Sequence, residues 1–281
     1  MKKALWGVMV CGVIVGLVLS GVGQAAPLSG EAKTDKQVKD LPKDKWRTLG
    51  ALDRVKDKDI VQVQTLDGPG GDIELMYAMP DAKAVTTKQT LPAEAGGNGE
   101  PQDITSLFLG NAPTTGATGQ PVLPLVPCYI VLPEGEAYAG ASVTTGKKVK
   151  LPGSYKVKHA QPAIPLVKGA KPKYVVPDPA VYGSDDPFPA SALGTVRVQK
   201  KRGVTIVIVN LNPVVYKPKS GEVSYYTSLK VNVQTKPAVP TTDAKRKIKY
   251  RPDKSRPLGA QVDNPGALTS YGSPSTKGGA K

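Results

Sequence analysis

The sequence predicts an all-β fold, a β-sandwich of the Ig-like or jelly-roll-like kind, over residues 46–235, and three observations carry that expectation. In residues 228–234, Leu229, Val231 and Val233 alternate with Lys230, Asn232 and Gln234. A period of two means one buried face and one wet face. Residues 204–209, by contrast, are β-branched at every position. Both faces are then apolar, which marks a strand central in its sheet. Elsewhere, short apolar or alternating runs are broken by Gly, Pro, Asn and Asp, and about 190 residues of that spacing fit a sandwich.

The elements follow in order. Residues 59–66 and 72–79 are expected to pair around the turn Asp67-Gly68-Pro69-Gly70-Gly71. Further strands are expected at 129–132, 141–144 and 155–159, each bounded by proline or glycine. Residues 195–199 should pair with 204–209 across Lys200-Lys201-Arg202-Gly203, a charged hairpin tip ending in a residue that accepts positive φ. The run Gly140 to Lys148 superficially looks like a phosphate loop, but its glycines are wrongly spaced and Lys148 stands where a hydroxyl residue belongs. It reads as strand, turn and strand.

The two ends differ from this body. Lys2 and Lys3 precede an apolar run, followed by the small residues Gly21, Gly23, Ala25 and Ala26. That is the layout of a secretory signal peptide over residues 1–25, with cleavage after Ala25. The run is short for a transmembrane helix, so no stable membrane anchor is expected after cleavage. Residues 26–45 read as a polar spacer. Residues 236–281 carry ten Lys or Arg against three Asp in a stretch rich in Pro, Gly, Ser and Thr. Few large apolar residues offset the backbone ordering cost of about 1–2 kcal/mol per residue, so this segment reads as a disordered basic linker.

Charge and cysteine content narrow the chemistry. The full chain has a net charge of +15, but more than half the excess of the exported part lies in the tail, with little aromatic interleaving. Nucleic acid is not the expected partner. Export removes Cys11 and leaves Cys128 alone, so no intrachain disulfide is available. A cysteine nucleophile would need Cys128 activated by His159. Cys128 lies in a continuous apolar stretch, and His159 shares a predicted strand face with Tyr155 and Val157. Both read as structural residues, and no catalytic residue is assigned. One His and one Cys show no metal-ligand spacing, so no metal or other cofactor is expected. Asp178, Asp185 and Asp186 could offer oxygen ligands to calcium, but turn roles are the simpler reading.

Three segments, taken in order, carry a resemblance. The first is Gly119-Gln120-Pro121-Val122-Leu123-Pro124, followed by the strand after Cys128 and the turn Pro133-Glu134-Gly135. The second is Tyr182, followed by Phe188-Pro189. The third runs through Arg202-Gly203-Val204 to Pro213-Val214-Val215-Tyr216-Lys217-Pro218 and the strand at 229–233. Together they resemble the N-terminal pro-region of gingipain-type cysteine endopeptidases, well over residues 119–233 and loosely over 46–113.

The resemblance implies a β-sandwich that assists folding of a cysteine peptidase catalytic domain, in cis or in trans, and masks its active site until processing. The sequence reaches Lys281 before any caspase-like domain with its His and Cys. The expectation is therefore a piece of a longer precursor or a freestanding pro-domain, inactive as a peptidase itself. Arg246, Arg251 and Arg256 are the expected processing points, and the expected location is secreted, in the periplasm, at the cell surface or outside the cell. The alternative is a secreted β-sandwich binding module that regulates no peptidase.

Overall fold

The computed structural model describes residues 47–48, 61–67, 71–239, 250 and 256–272. The signal peptide and polar spacer, over 1–45, lie outside the described residues. So do Ala25, Arg246 and Arg251.

The described chain is built from antiparallel strands. Strand β1 (Arg47–Thr48) pairs β2 (Gln62–Asp67), which pairs β3 (Ile73–Ala78). The last long strand, β15 (Ser228–Pro237), lies between β3 and β9 (Glu136–Thr145), closing a five-stranded sheet in the order β1-β2-β3-β15-β9. A second sheet places β12 (Val204–Leu211) between β11 (Leu193–Lys201) and β8 (Val126–Val131). A third joins β10 (Lys148–Lys150), β14 (Glu222–Tyr226) and β13 (Val214–Lys217). Two ribbons complete it: β4 (Ala82–Thr90) with β5 (Pro101–Leu109), and β6 (Thr114–Thr115) with β7 (Leu123–Pro124).

The period-two reading of β15 holds residue by residue. Leu229, Val231 and Val233 are fully buried in the main core, whereas Lys230 on the opposite face pairs with Glu74 at 3.0 Å. Into the same core come Val63, Leu75 and Tyr77 from β2 and β3, and Cys128, Ile130, Val207, Val209 and Leu211 from β8 and β12. Apolar faces of two sheets thus remove each other from water, the dominant favourable contribution to folding.

Strand β12 is central, as its composition predicts, and its partner is β11 across the expected tip. Lys201 faces Val204, leaving Arg202 and Gly203 as the two loop residues at φ 54° and 85°. Two successive positive φ values match the right-handed twist of the flanking strands. Only the glycine signals this in sequence.

Two expectations need correction. Residues 155–159 form no strand; Val157 and His159 make single bridges, to Thr105 and Pro121 respectively. The segment is threaded between β5 and residues 118–122, so each side offers a partner at only one or two positions. The Thr105 N–H donates to Lys156 O, the Lys158 N–H to Thr105 O, and the Val122 N–H to Lys158 O.

The second correction concerns the tail. Residues 256–272, expected to be disordered, form short 3-10 turns at Leu258–Ala260 and Pro265–Tyr271. Leu258 and Val262 are buried against Val131, Val204 and Ile206, with Ile208, Tyr250, Leu268 and Tyr271 packed around them. The physical reason lies in β12. Its Val207, Val209 and Leu211 face the main core, while Val204, Ile206 and Ile208 face the other way and need a second cover.

Candidate functional site: an exposed loop and its base

Gly119, Pro121, Tyr182 and Tyr216, drawn from the three segments that carry the resemblance, converge on one structure, the base of a loop spanning residues 161–177. Gly119 closes it. Its N–H donates to Ala160 O at 2.8 Å, and its carbonyl accepts from the Asp178 N–H at 2.9 Å, so one residue ties both ends. Gly119 sits at φ +84°, with Val176 O only 3.4 Å from where a Cβ would lie. That conformation is costly for any L side chain. Beside it, Pro121 bridges His159, and Leu123 is buried at the end of the 119–124 segment.

Tyr216 and Tyr182 hold the threaded segment from the other side. The Tyr216 hydroxyl donates to Tyr155 O at 2.9 Å and accepts from the Val157 N–H at 3.4 Å. The Tyr182 hydroxyl donates to Val157 O at 2.9 Å. Their rings meet edge-on at 6.4 Å, and Tyr182 meets the His159 ring at 6.3 Å. Burial, and then the neighbouring Tyr216, hold the Tyr182 hydroxyl well above the usual tyrosine range. Burial likewise raises Tyr216. Both phenols therefore stay protonated as donors. Phe188, whose bond to Pro189 is cis, exchanges both backbone hydrogen bonds with Tyr216 at 2.8 Å. Pro213 accepts from the Tyr226 N–H, and Pro218 is buried behind Tyr216.

Three side chains complete the base from within. Gln161 forms a clasp on Val175, its Oε1 accepting from the Val175 N–H at 2.9 Å and its Nε2 donating to Val175 O at 3.0 Å. His159 Nε2 lies 2.9 Å from the same carbonyl. Asp178 accepts from the Ala180 N–H and so caps helix α1 (Pro179–Tyr182). Gln161 carried no sequence signal, because the clasp reaches across fourteen residues.

The loop itself presents an unusual surface. Leu166 is fully exposed, and Ile164, Val167, Tyr174 and Val176 are at least 42% exposed. Lys168, Lys171 and Lys173 point out among them, and residues 161–177 contain no acidic side chain. A turn with Gly169 at φ +81° folds the tip, where the Ala170 N–H donates to Val167 O at 3.1 Å. Pro162, Pro165, Pro172 and Pro177 fix φ along the way, which lowers the entropy lost when such a loop is ordered against a partner. Five exposed large apolar side chains within one loop mark an interaction site more often than single residues scattered over a surface do.

The remaining candidates are dispersed. Cys128 is fully buried on β8, its thiol donating weakly to Val126 O at 3.7 Å. Burial first, and then the Asp263 carboxylate, push the thiol well above its usual range, outweighing the Tyr77 hydroxyl. A nucleophile needs the reverse shift. Cys128 lies in the main core, whereas His159 lies at the loop base with its Nε2 against Val175 O, so the structure does not assemble them as a pair. Asp185 accepts from the Ser220 N–H and hydroxyl, and Asp186 pairs with Ser184. Both serve turns. Among the described residues no cluster of three or more His, Cys, Asp or Glu is positioned to hold a metal. Pro133 and Gly135 make the turn after β8, with Gly135 at φ +89°. Arg256 is exposed, and its carbonyl accepts from Arg202 Nη1 at 2.8 Å.

No protein-family model and no curated protein sequence matches the chain. In fold it is similar to a solved structure concerned with the zymogenic latency of gingipain K from Porphyromonas gingivalis, at 18% identity and a TM-score of 0.48, over 69% of this chain and 98% of that one. It is also similar to a chain of the complex of RgpB pro- and mature domains from the same organism, at 15% identity and a TM-score of 0.48, over 66% of this chain and 95% of that one.

Proposed function

We propose that this chain is the pro-region of an exported gingipain-type cysteine endopeptidase, serving as its intramolecular chaperone and inhibitor, and that loop 161–177 is the surface that meets the catalytic domain. The carrying observation is the loop. Its apolar and lysine side chains stand in solvent, while one residue from each of the three segments of the resemblance, Gly119 at positive φ and the paired Tyr182 and Tyr216, fixes its base. A surface held that firmly and left uncovered fits recognition better than core stability.

Processing belongs to the same reading. Arg251 and Arg256 each precede a proline, whereas Arg246 precedes Lys247. Proline has no N–H and a fixed φ, so a peptidase that must seat an extended chain and protonate the leaving nitrogen is better served at Arg246. Arg246 is the processing point this reading favours, after export through the signal peptide.

The test is a titration of residues 26–281 against a gingipain-type catalytic domain. The wild-type chain should be inactive alone and inhibit in proportion to dose. Paired substitution Leu166→Asp and Val167→Asp should weaken inhibition at least about tenfold, the order expected for losing two apolar anchors. A wild-type chain that inhibits nothing would transfer the assignment to a secreted β-sandwich binding module.

A further inference from the structure

The second sheet ends at β8, and the outer edge of β8 is covered by the chain's own C-terminal segment through a specific pattern. The Tyr129 N–H donates to Asp263 Oδ2 at 2.8 Å, and the Asp263 N–H donates to Tyr129 O at 2.8 Å. Two residues on, the Val131 N–H donates to Asn264 Oδ1 at 2.7 Å, and Asn264 Nδ2 donates to Val131 O at 2.8 Å. Four successive edge groups that a neighbouring strand would satisfy are met by one backbone N–H, one carboxylate and one carboxamide. Tyr77, reaching across from β3, donates its hydroxyl to the same Asp263 oxygen at 2.9 Å. Asp263 and Asn264 are each only 4% exposed.

Anchors flank this dipeptide on both sides. Leu258 and Val262 fill the apolar second face of β12 beside Val131, Val204 and Ile206. Downstream, the Tyr271 hydroxyl donates to Leu132 O at 2.8 Å and accepts from the Thr205 N–H at 3.1 Å, and Ser270 Oγ accepts from the Glu134 N–H at 2.9 Å.

We propose that the edge of β8 with the second face of β12 is a peptide-recognition site. Its ligand is the segment Leu-x-x-x-Val-Asp-Asn with a tyrosine seven residues on, represented here by residues 258–271, and the site holds that segment without help from the covalent connection. The site is complete within the chain. The apolar anchors supply burial, the Asp-Asn pair supplies register, and the fixed edge supplies backbone groups that are already aligned. A cut after Arg246 therefore leaves the downstream chain, Tyr250 included, docked. This inference concerns the chain's own segment and stands whether or not a peptidase follows it.

The experiment starts from the full chain with a site-specific protease sequence placed in residues 241–247, upstream of Tyr250, cut to completion under native conditions. Gel filtration should keep the C-terminal fragment with the body, and hydrogen exchange should keep the Tyr129 and Val131 amides protected. A fluorescent synthetic peptide of residues 256–272, added in excess, should exchange into the site. The same peptide carrying Asp263→Ala and Asn264→Ala should compete at least about thirtyfold less well, since several buried hydrogen bonds are lost. A Thr269→Ala peptide should compete normally, because that hydroxyl only donates to Gly266 O within the segment. Release of the fragment on cutting, or equal competition by the double-alanine peptide, would overturn the proposal. Confining the substitutions to the peptide keeps the body's folding out of the result.

Discussion

Tyr216→Phe removes one oxygen and asks how much the loop base depends on it. The hydroxyl gives Tyr155 O its 2.9 Å donor and the Val157 N–H its acceptor at 3.4 Å. Val157 is 1% exposed, so water does not replace the acceptor, and an unsatisfied buried donor costs roughly 1–3 kcal/mol. The long distance puts this bond at the weak end. Tyr155 is half-buried and its carbonyl can recover water, so the total should be about 2 kcal/mol. For a domain of this size that corresponds to roughly 4–8 °C in Tm. Denaturant titration should show a lower midpoint at unchanged slope. Tyr182→Phe removes one bond to Val157 O and should cost about 1 kcal/mol, and the double variant should depart from additivity by roughly 0.5–1 kcal/mol, because both phenols hold the same residue. Tryptic cutting at Lys168, Lys171 or Lys173 should accelerate as the base loosens. A Tyr216→Phe chain within about 0.5 kcal/mol of wild type, with unchanged cutting, would refute the claim that these tyrosines set the loop.

Two further outcomes follow from the same geometry. Gly119→Ala should lower stability by about 1–2 kcal/mol through backbone strain at φ +84° rather than collision, since a Cβ would meet its nearest atoms at 3.4 and 3.5 Å; Gly119→Asn, which tolerates that conformation better, should cost less in the same denaturation assay. Cys128 should resist alkylation at pH 8 until the chain unfolds. Because its folded thiol is raised while the unfolded thiol is ordinary, its contribution to stability is present below the usual thiol pKa of about 8.5 and declines as pH rises beyond it. Cys128→Ala should flatten that part of the stability-against-pH curve, read by the denaturation midpoint at pH 7 and pH 10.

How far the sequence could be read depended on the range of the interaction. Strands β15, β2, β3 and the β11–β12 hairpin were legible because alternation, β-branching and glycine placement are local signals. Residues 155–159 alternate as well, but their partners change from one position to the next, so periodicity alone overstated them. The loop base was legible only as a set of motif residues whose purpose was hidden: nothing in Gly119 announces that it joins Ala160 to Asp178. The order of the tail was not legible in the tail's own composition. Leu258 and Val262 are too few to order a segment alone, yet β12 had already declared two apolar faces, and the second needed a cover from somewhere.

That cover is made of side chains and turns rather than a further strand, and the difference matters for a sheet with an open edge. Another strand on β8 would have satisfied Tyr129 and Val131 only to present a new open edge, with the same tendency to pair with other chains. Asp263 and Asn264 satisfy the edge with groups that do not propagate it. Pro265 follows at once, lacking an N–H, and the chain leaves in a 3-10 turn that brings Ser270 and Tyr271 back to Glu134, Leu132 and Thr205. The edge is closed from Tyr129 to Glu134. Closing it this way also makes the cover removable in principle, because none of the four bonds to the edge belongs to a continuous ladder. A sheet edge that reads a two-residue sequence, instead of accepting any extended chain, combines protection from aggregation with selectivity for one segment.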